Sequence, residues 1–251
     1  MKTTDLKKII TELKDDENYY GNMGKQFLSN SDISSLLYSP KDFKEVVLES
    51  KELLIGRYFH HKFLEPQKAE QTHIIDVASR RTKKYTEAIE ETGERMILLQ
   101  NEATIVDEMY DAMRSQIKFY DLIYDEDNVY EVPMVADIMG TGVYWKGKAD
   151  IIHNDYIIDL KTTSSLKDFP KSVRNFNYDS QAFIYRKLFN KEMLFLVVDK
   201  KTKQLGFFPC SEGVYERGEM KVEKAEIEYQ KFFGDNPTED VNNYFHYEIL
   251  Y

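Results

Sequence analysis

Apolar residues along this chain follow two rhythms. Up to about residue 120 they recur mainly every third or fourth position, the repeat of amphipathic helices. Between about residues 129 and 210 they alternate or run continuously, as strands do. The helical repeat predicts helices over 3–14, 31–37 and 94–118, the last with a stripe of Leu98, Ile105, Met109 and Ala112. Ser39-Pro40-Lys41-Asp42 has the capping pattern of a helix start, continuing through Phe43, Val46 and Val47. Residues 73–77 form a candidate short strand. Farther on, Asp125–Asn128 is a turn, Val129–Met139 a strand, and Gly140-Thr141-Gly142 a turn into Val143–Lys146. Asp179-Ser180 opens a helix. Met193–Asp199 is a buried strand with Gln204–Pro209 as its hairpin partner, and Val214–Phe233 is a helix closed by Gly234.

One hairpin carries unusual charge. Two β-branched runs flank Asn154-Asp155, a turn-forming pair. With those two residues as the loop, Ile152 faces Ile157 and Asp150 faces Asp159. Directly opposed side chains share a face, with Cβ atoms about 4.5–5.5 Å apart. Strand parity adds Lys161 to the face of Asp159 and leaves Ala149, Ile151, Ile158 and Leu160 on an apolar opposite face. Opposed like charges destabilise a strand pair. A divalent cation between the carboxylates would offset that cost, and oxygen ligands suit Mg²⁺ or Mn²⁺. A surface hairpin with solvated charges is the plain alternative.

Composition narrows the class. A chain of 251 residues, 42% hydrophobic and 31% charged, can bury a sizeable core. No apolar run reaches the roughly 20 residues of a membrane span. The charged stretch Met1–Lys14 lacks the apolar segment of a signal peptide, so a cytoplasmic location is expected. The single Cys210 excludes a disulfide framework and cysteine-rich metal sites. A net charge of −10 runs against the usual basic footprint of a DNA-binding protein. Basic residues do cluster at Arg80–Lys84 and at Lys167, Lys171 and Arg174, the latter interleaved with Phe169 and Phe176. Such runs could meet phosphates and unstacked bases, or form solvated loops.

Asp150 followed by Asp159-Leu160-Lys161 resembles the D…(D/E)-x-K core of the PD-(D/E)XK nuclease superfamily. The longer run, Gly147-Lys148-Ala149-Asp150 to Asp159-Leu160-Lys161-Thr162-Thr163, is similar to the G-x-x-D…D-x-K-T-T of its RecE-like and RecB-like phage-type exonuclease branch. Gly56…His60 with Leu64-Glu65-Pro66 resembles that branch's G-x-x-x-H…L-E-P helix, and Gln181…Tyr185 its Q-x-x-x-Y motif. The resemblance covers roughly residues 31–66 and 129–200. It implies an α/β fold: a central mixed β-sheet flanked by helices, the restriction-endonuclease-like core, with an N-terminal helical portion. Residues 1–251 would form a single nuclease domain, mainly helical over 1–120, with the core sheet at 129–210 and a C-terminal helix and tail at 212–251.

It also implies a Mg²⁺- or Mn²⁺-dependent DNA exonuclease, with two ions, acting on duplex ends or single strands in recombination, replication or DNA degradation. Asp150, Asp159, the Leu160 carbonyl, His60 and Glu131 would ligate metal. Lys161 would act on the attacking water, and Gln181 and Tyr185 would position the DNA strand. The glycine spacing selects His60 over His61, with Gly56 letting the helix pack closely. Partners implied are DNA, a single-strand annealing protein and a ring-shaped homo-oligomer, in a bacterial or phage-infected cell. A structure-specific endonuclease is an alternative within the class. A non-catalytic nucleic-acid-binding module, or an acidic interaction protein mimicking DNA charge, is one outside it.

Overall fold

The computed structural model describes residues 3–46 and 48–247, leaving aside the side chains of Thr3 and Thr4. Two short strands, β1 (Ile74–Ile75) and β2 (Leu98–Leu99), pair in parallel. The main sheet contains β3 (Val129–Ala136), β4 (Trp145–Ile152), β5 (Tyr156–Thr163), β6 (Glu192–Asp199) and β7 (Leu205–Pro209), in that spatial order. All its neighbours are antiparallel except β5 and β6. The sheet is therefore mixed, as the resemblance implied.

Helices lie before, between and after the strands. In the N-terminal part they are α1 (Thr3–Glu12), α2 (Asp16–Tyr20), α3 (Asp32–Tyr38), α4 (Lys51–Leu64), α5 (Pro66–Glu70), α6 (Lys83–Thr92), α7 (Gln100–Ser115) and α8 (Ile117–Ile123). Then come α9 (Phe169–Asn175), α10 (Tyr178–Phe189) and α11 (Glu212–Phe233). The sheet separates two apolar layers. On one side Ile157, Phe195 and Val197 meet α10, α11 and α3. On the other Ile158, Leu160, Leu194 and Leu196 meet α4, α7 and α8. Burying an Ile or Leu contributes about 1.5–3 kcal/mol. The residues on the α4 side thus hold β5 in place although its opposite face carries charge.

Several expectations are corrected. The helix expected after Ser39 is a single 3-10 turn, Pro40–Asp42, with no side-chain cap from Ser39. Lys44 ends it with a left-handed φ of 61°, because its ammonium reaches Asp32 at 2.7 Å and the Phe27 carbonyl at 2.8 Å. Val46 is exposed, and Val47 lies outside the described residues, as do residues 248–251 of the tail. The long helix at 94–118 begins only at Gln100, since Leu98 and Leu99 pair with β1. Its buried stripe is Ala103, Val106, Met109 and Met113, and Ile105 is exposed. The helix at Asp179 is instead entered from Asn177, in a left-handed turn, while Asp179 is buried against Lys221 at 2.7 Å. The stretch holding Lys167, Lys171 and Arg174 contains helix α9 rather than only loop, and Phe169 is core.

Candidate active site

Beside the turn the hairpin register is the expected one, but the expected strand pairing of Asp150 with Asp159 is not formed. Ile151 pairs with Ile158 and Ile152 with Ile157, and the His153 N–H reaches the Tyr156 carbonyl at 2.9 Å across the Asn154-Asp155 loop. Beyond Ile151 the strands part. β4 continues against β3, and β5 continues against β6. At the fork the Asp150 carboxylate takes over from a strand carbonyl: its Oδ2 accepts the Leu160 N–H at 3.0 Å.

Backbone conformation marks the same level of the sheet. Glu131, on β3, has a φ of 51°, left-handed for a non-glycine strand residue. Its neighbours Tyr130 and Val132 pair with Ile151 and Ala149. Side-chain alternation on β4 breaks there. Ala149 packs in the α10 layer and Ile151 in the α4 layer, so the expected common face of Ala149 with Ile151, Ile158 and Leu160 is not formed. Strain of this kind collects at functional sites.

Four elements aim side chains into the fork. From α4, His60 Nδ1 stands 3.2 Å from Asp150 Oδ2. From β5, Lys161 Nζ stands 2.5 Å from Asp159 Oδ2 and 5.0 Å from the Tyr178 ring centre. From α10, Gln181 Nε2 donates to Asp159 Oδ1 at 2.5 Å. From β3, Glu131 feels the charge of Asp150 and stands 3.9 Å from Lys148 Nζ through Oε2. The cost of opposed carboxylates is thus met within the protein, by His60 for Asp150 and by Lys161 for Asp159. All these residues line one open cleft of about 1240 Å³.

The charges respond to one another. Burial alone would raise the Asp150 carboxyl, yet His60, Lys161 and the Leu160 N–H hold it below the usual range. Asp159 goes the other way: burial raises it and Asp150 adds to the rise, outweighing Lys161. Burial pulls His60 down, and Asp150 more than restores it. Lys161 likewise stays an ammonium because Asp159 and Asp150 outweigh its burial. Glu131 is pushed up to about 7, by burial first and Asp150 second.

His61 is on another side of α4. It stands 4.0 Å from Glu65, and its Nδ1 is buried without a hydrogen bond. Gly56 does not serve close packing, since a Cβ there would meet nothing within 4 Å; it leaves room in the cleft. At Gly147, by contrast, an added Cβ would come within 2.7 Å of the Tyr185 ring. The Tyr185 hydroxyl donates to the Lys148 carbonyl at 3.0 Å and accepts the Lys148 N–H at 3.3 Å. Gln181 and Tyr185 therefore border the cleft with their polar groups engaged on β5 and β4.

Residues 25–230 match the family described as a PDDEXK-like domain of unknown function (DUF3799). The chain belongs to that family. No curated protein matches it. Among solved structures it is similar to a "Putative exonuclease" from Eubacterium rectale, with TM-score 0.63 and 18% identity over 86% of this chain and 85% of that one. It is also similar to a phage related exonuclease from Haemophilus somnus 129PT, with TM-score 0.32 and 12% identity over 69% of this chain and 92% of that one. The first likeness shows the fold, a restriction-endonuclease-like core; the second is too distant to argue from.

The donors of this PDDEXK-like cleft fit a hard divalent cation in kind: two carboxylates and an imidazole. Asp159 Oδ2 is buried and, beyond its ion contact with Lys161, accepts no well-formed hydrogen bond. Among the described residues, no three His, Cys, Asp or Glu side chains stand together as a ready coordination set, because His60 and Lys161 hold the acids. No described helix is long and apolar enough to cross a membrane. The expected basic runs do not supply the cleft's cations. Arg80 turns inward to Glu102, at 2.7 and 2.6 Å. The cleft's cations are instead Lys161 of the D-x-K run together with Arg57, Lys68, Lys146, Lys148 and Lys200, which no single basic run brings together.

Proposed function

We propose that this PDDEXK-like chain is a divalent-metal-dependent deoxyribonuclease, working as an exonuclease on DNA ends in phage-type recombination, replication or DNA degradation. The observation that carries the reading is the convergence of His60, Asp150, Asp159 and Lys161 where β4 parts from β5, with Gln181 bracing Asp159. Asp150, Asp159, His60, the Leu160 carbonyl and Glu131 are the groups that would hold Mg²⁺ or Mn²⁺. When bound, the ion supplies a Lewis acid for the phosphate and lowers the pKa of water.

The protein's own groups divide the remaining work. Lys161 is an ammonium held over Tyr178, so it orients water and stabilises charge growing on the phosphate rather than taking a proton. Gln181 fixes the Asp159 carboxylate, and Tyr185 fixes the β4 backbone beside Gly147. Both are positioning residues in this scheme. His60 pairs with Asp150 and keeps that carboxylate ionised.

Incubation with linear and covalently closed circular duplex DNA tests the proposal. Linear DNA should be degraded from its ends with Mg²⁺ or Mn²⁺, spared in EDTA, and closed circles should persist. Cleavage of closed circles would favour the endonuclease alternative. No cleavage of either form with either metal would refute the nuclease reading.

A further inference from the structure

Beside the acidic fork, the same cleft holds a compact ion cluster that touches the fork only through Glu131. Lys148 lies two residues before Asp150 on β4. Its side chain is only 7% exposed, so its ammonium needs an anion. Asp16 of α2 supplies it, with Oδ1 on Lys148, while Oδ2 stands 2.5 Å from Lys68 Nζ. Lys68 also meets Glu65 at 2.6 Å, and Lys148 has Glu131 at 3.9 Å. Asp16 itself is 41% exposed.

We infer that Lys68 and Lys148 form a phosphate-binding subsite of the cleft, and that Asp16 fills it in the DNA-free protein as an internal substitute for a phosphate group. The inference rests on the nuclease reading. The carboxylate bridges two ammonium groups with one oxygen each, as two oxygens of a phosphate would. Two residues of strand span about 7 Å, so a phosphate at Lys148 neighbours one at Asp150. The helix that brings the acid also brings rings: Tyr19 and Tyr20 have their centres 4.8 and 5.6 Å from Lys148 Nζ. A nucleotide offers the same pairing of an anion with a flat ring. Because Asp16 is part-exposed and sits on a five-residue helix, an incoming strand can exchange with it.

The test is binding of a fluorescein-labelled oligothymidylate in EDTA at low salt, with either a 5′-phosphate or a 5′-hydroxyl. Asp16→Asn removes the internal anion and should tighten binding by about tenfold, the scale of one charge-assisted hydrogen bond. Its salt dependence should steepen by about 0.7 in logarithmic slope for each further phosphate that the lysines neutralise. Lys68→Gln in the Asp16→Asn background should erase the tighter binding, which a purely structural Asp16 would not produce. Equal tightening for both ends assigns the subsite to an internal phosphodiester; greater tightening for the 5′-phosphate assigns it to the terminal one. Unchanged or weaker binding by a normally melting Asp16→Asn protein overturns the inference, as does tighter binding that survives Lys68→Gln. If Asp16→Asn melts early, Lys68→Gln alone decides, supporting the subsite by weakening binding and refuting it by leaving binding unchanged. Cleavage with Mn²⁺ is scored separately, so a subsite without nuclease activity and a nuclease without this subsite are told apart.

Discussion

Two acids of this protein are equally shielded from solvent and behave oppositely, Asp159 lying deeper in the molecule than Glu102. Glu102 and Asp159 side chains are each 3% exposed. Glu102 accepts both Arg80 terminal nitrogens and the Leu99 N–H, with Lys51 at 3.4 Å. Burial opposes its charge, but those donors keep its carboxyl below the usual range. Asp159 accepts one hydrogen bond from Gln181 and touches Lys161, and burial wins, raising it. Glu102 is a finished structural contact that pins α7 to the Arg80 loop. Asp159 keeps unused acceptor capacity, facing a cleft with a second acid beside it. A buried charge left incomplete in that way has a stability cost that a ligand can relieve.

The largest expected effects lie at the fork. Asp150→Asn should abolish cleavage while the protein still folds. In single-turnover assays Lys161→Ala should slow cleavage by about 10²–10⁴-fold. Duplex affinity in Ca²⁺ should stay near wild type, and Lys161→Arg should rescue poorly, because a planar fork does not replace a compact ammonium. If affinity falls in proportion to rate, Lys161 is a phosphate anchor instead.

The structural acid predicts the reverse. Arg80→Ala leaves Glu102 charged and buried and should lower unfolding free energy by about 3 kcal/mol in urea titrations. Cleavage per folded molecule should not change. Loss of catalysis without loss of stability would break the contrast between the two acids.

A smaller effect separates Asp150 from Asp159 in metal-free protein. The fold favours ionised Asp150 and disfavours ionised Asp159. Asp150→Asn should therefore lower the melting temperature at neutral pH, while Asp159→Asn should leave it unchanged or raise it. The Asp150 contribution is present above the ordinary Asp pKa and fades as pH falls through its lowered folded value. The deficit of Asp150→Asn should shrink in acid accordingly. Equal losses for both variants at pH 7 would contradict the opposite shifts. The smallest contrast is between neighbours on α4: calorimetric Mn²⁺ titration should show His60→Ala weaker than His61→Ala, since only His60 reaches Asp150.

Legibility followed the range of the interactions. The hairpin register was readable because a two-residue turn and β-branched runs fix it locally. His60 was singled out by the likeness of Gly56…His60 to a family motif, and its ring stands 3.2 Å from Asp150. The parting of β4 from β5 was not readable, since it coincides with the left-handed Glu131 on another strand and with Tyr185 seated against Gly147 from a later helix. The Asp16–Lys148 pairing spans 132 residues and leaves no periodic trace. The helix expected after Ser39 failed because Lys44 is drawn to Asp32. The Arg80–Lys84 run left contact with phosphates and a solvated loop both open, because a basic run reads alike whether it faces solvent or, as Arg80 does, a buried glutamate.

The most direct test compares the two acids in one reaction. Wild type, Asp159→Asn and Glu102→Gln are mixed in excess with an end-labelled linear duplex, Mn²⁺ is added, and the first turnover is followed. Wild type and folded Glu102→Gln should cleave, and Asp159→Asn should not. Full cleavage by Asp159→Asn would contradict a metal-holding role for Asp159.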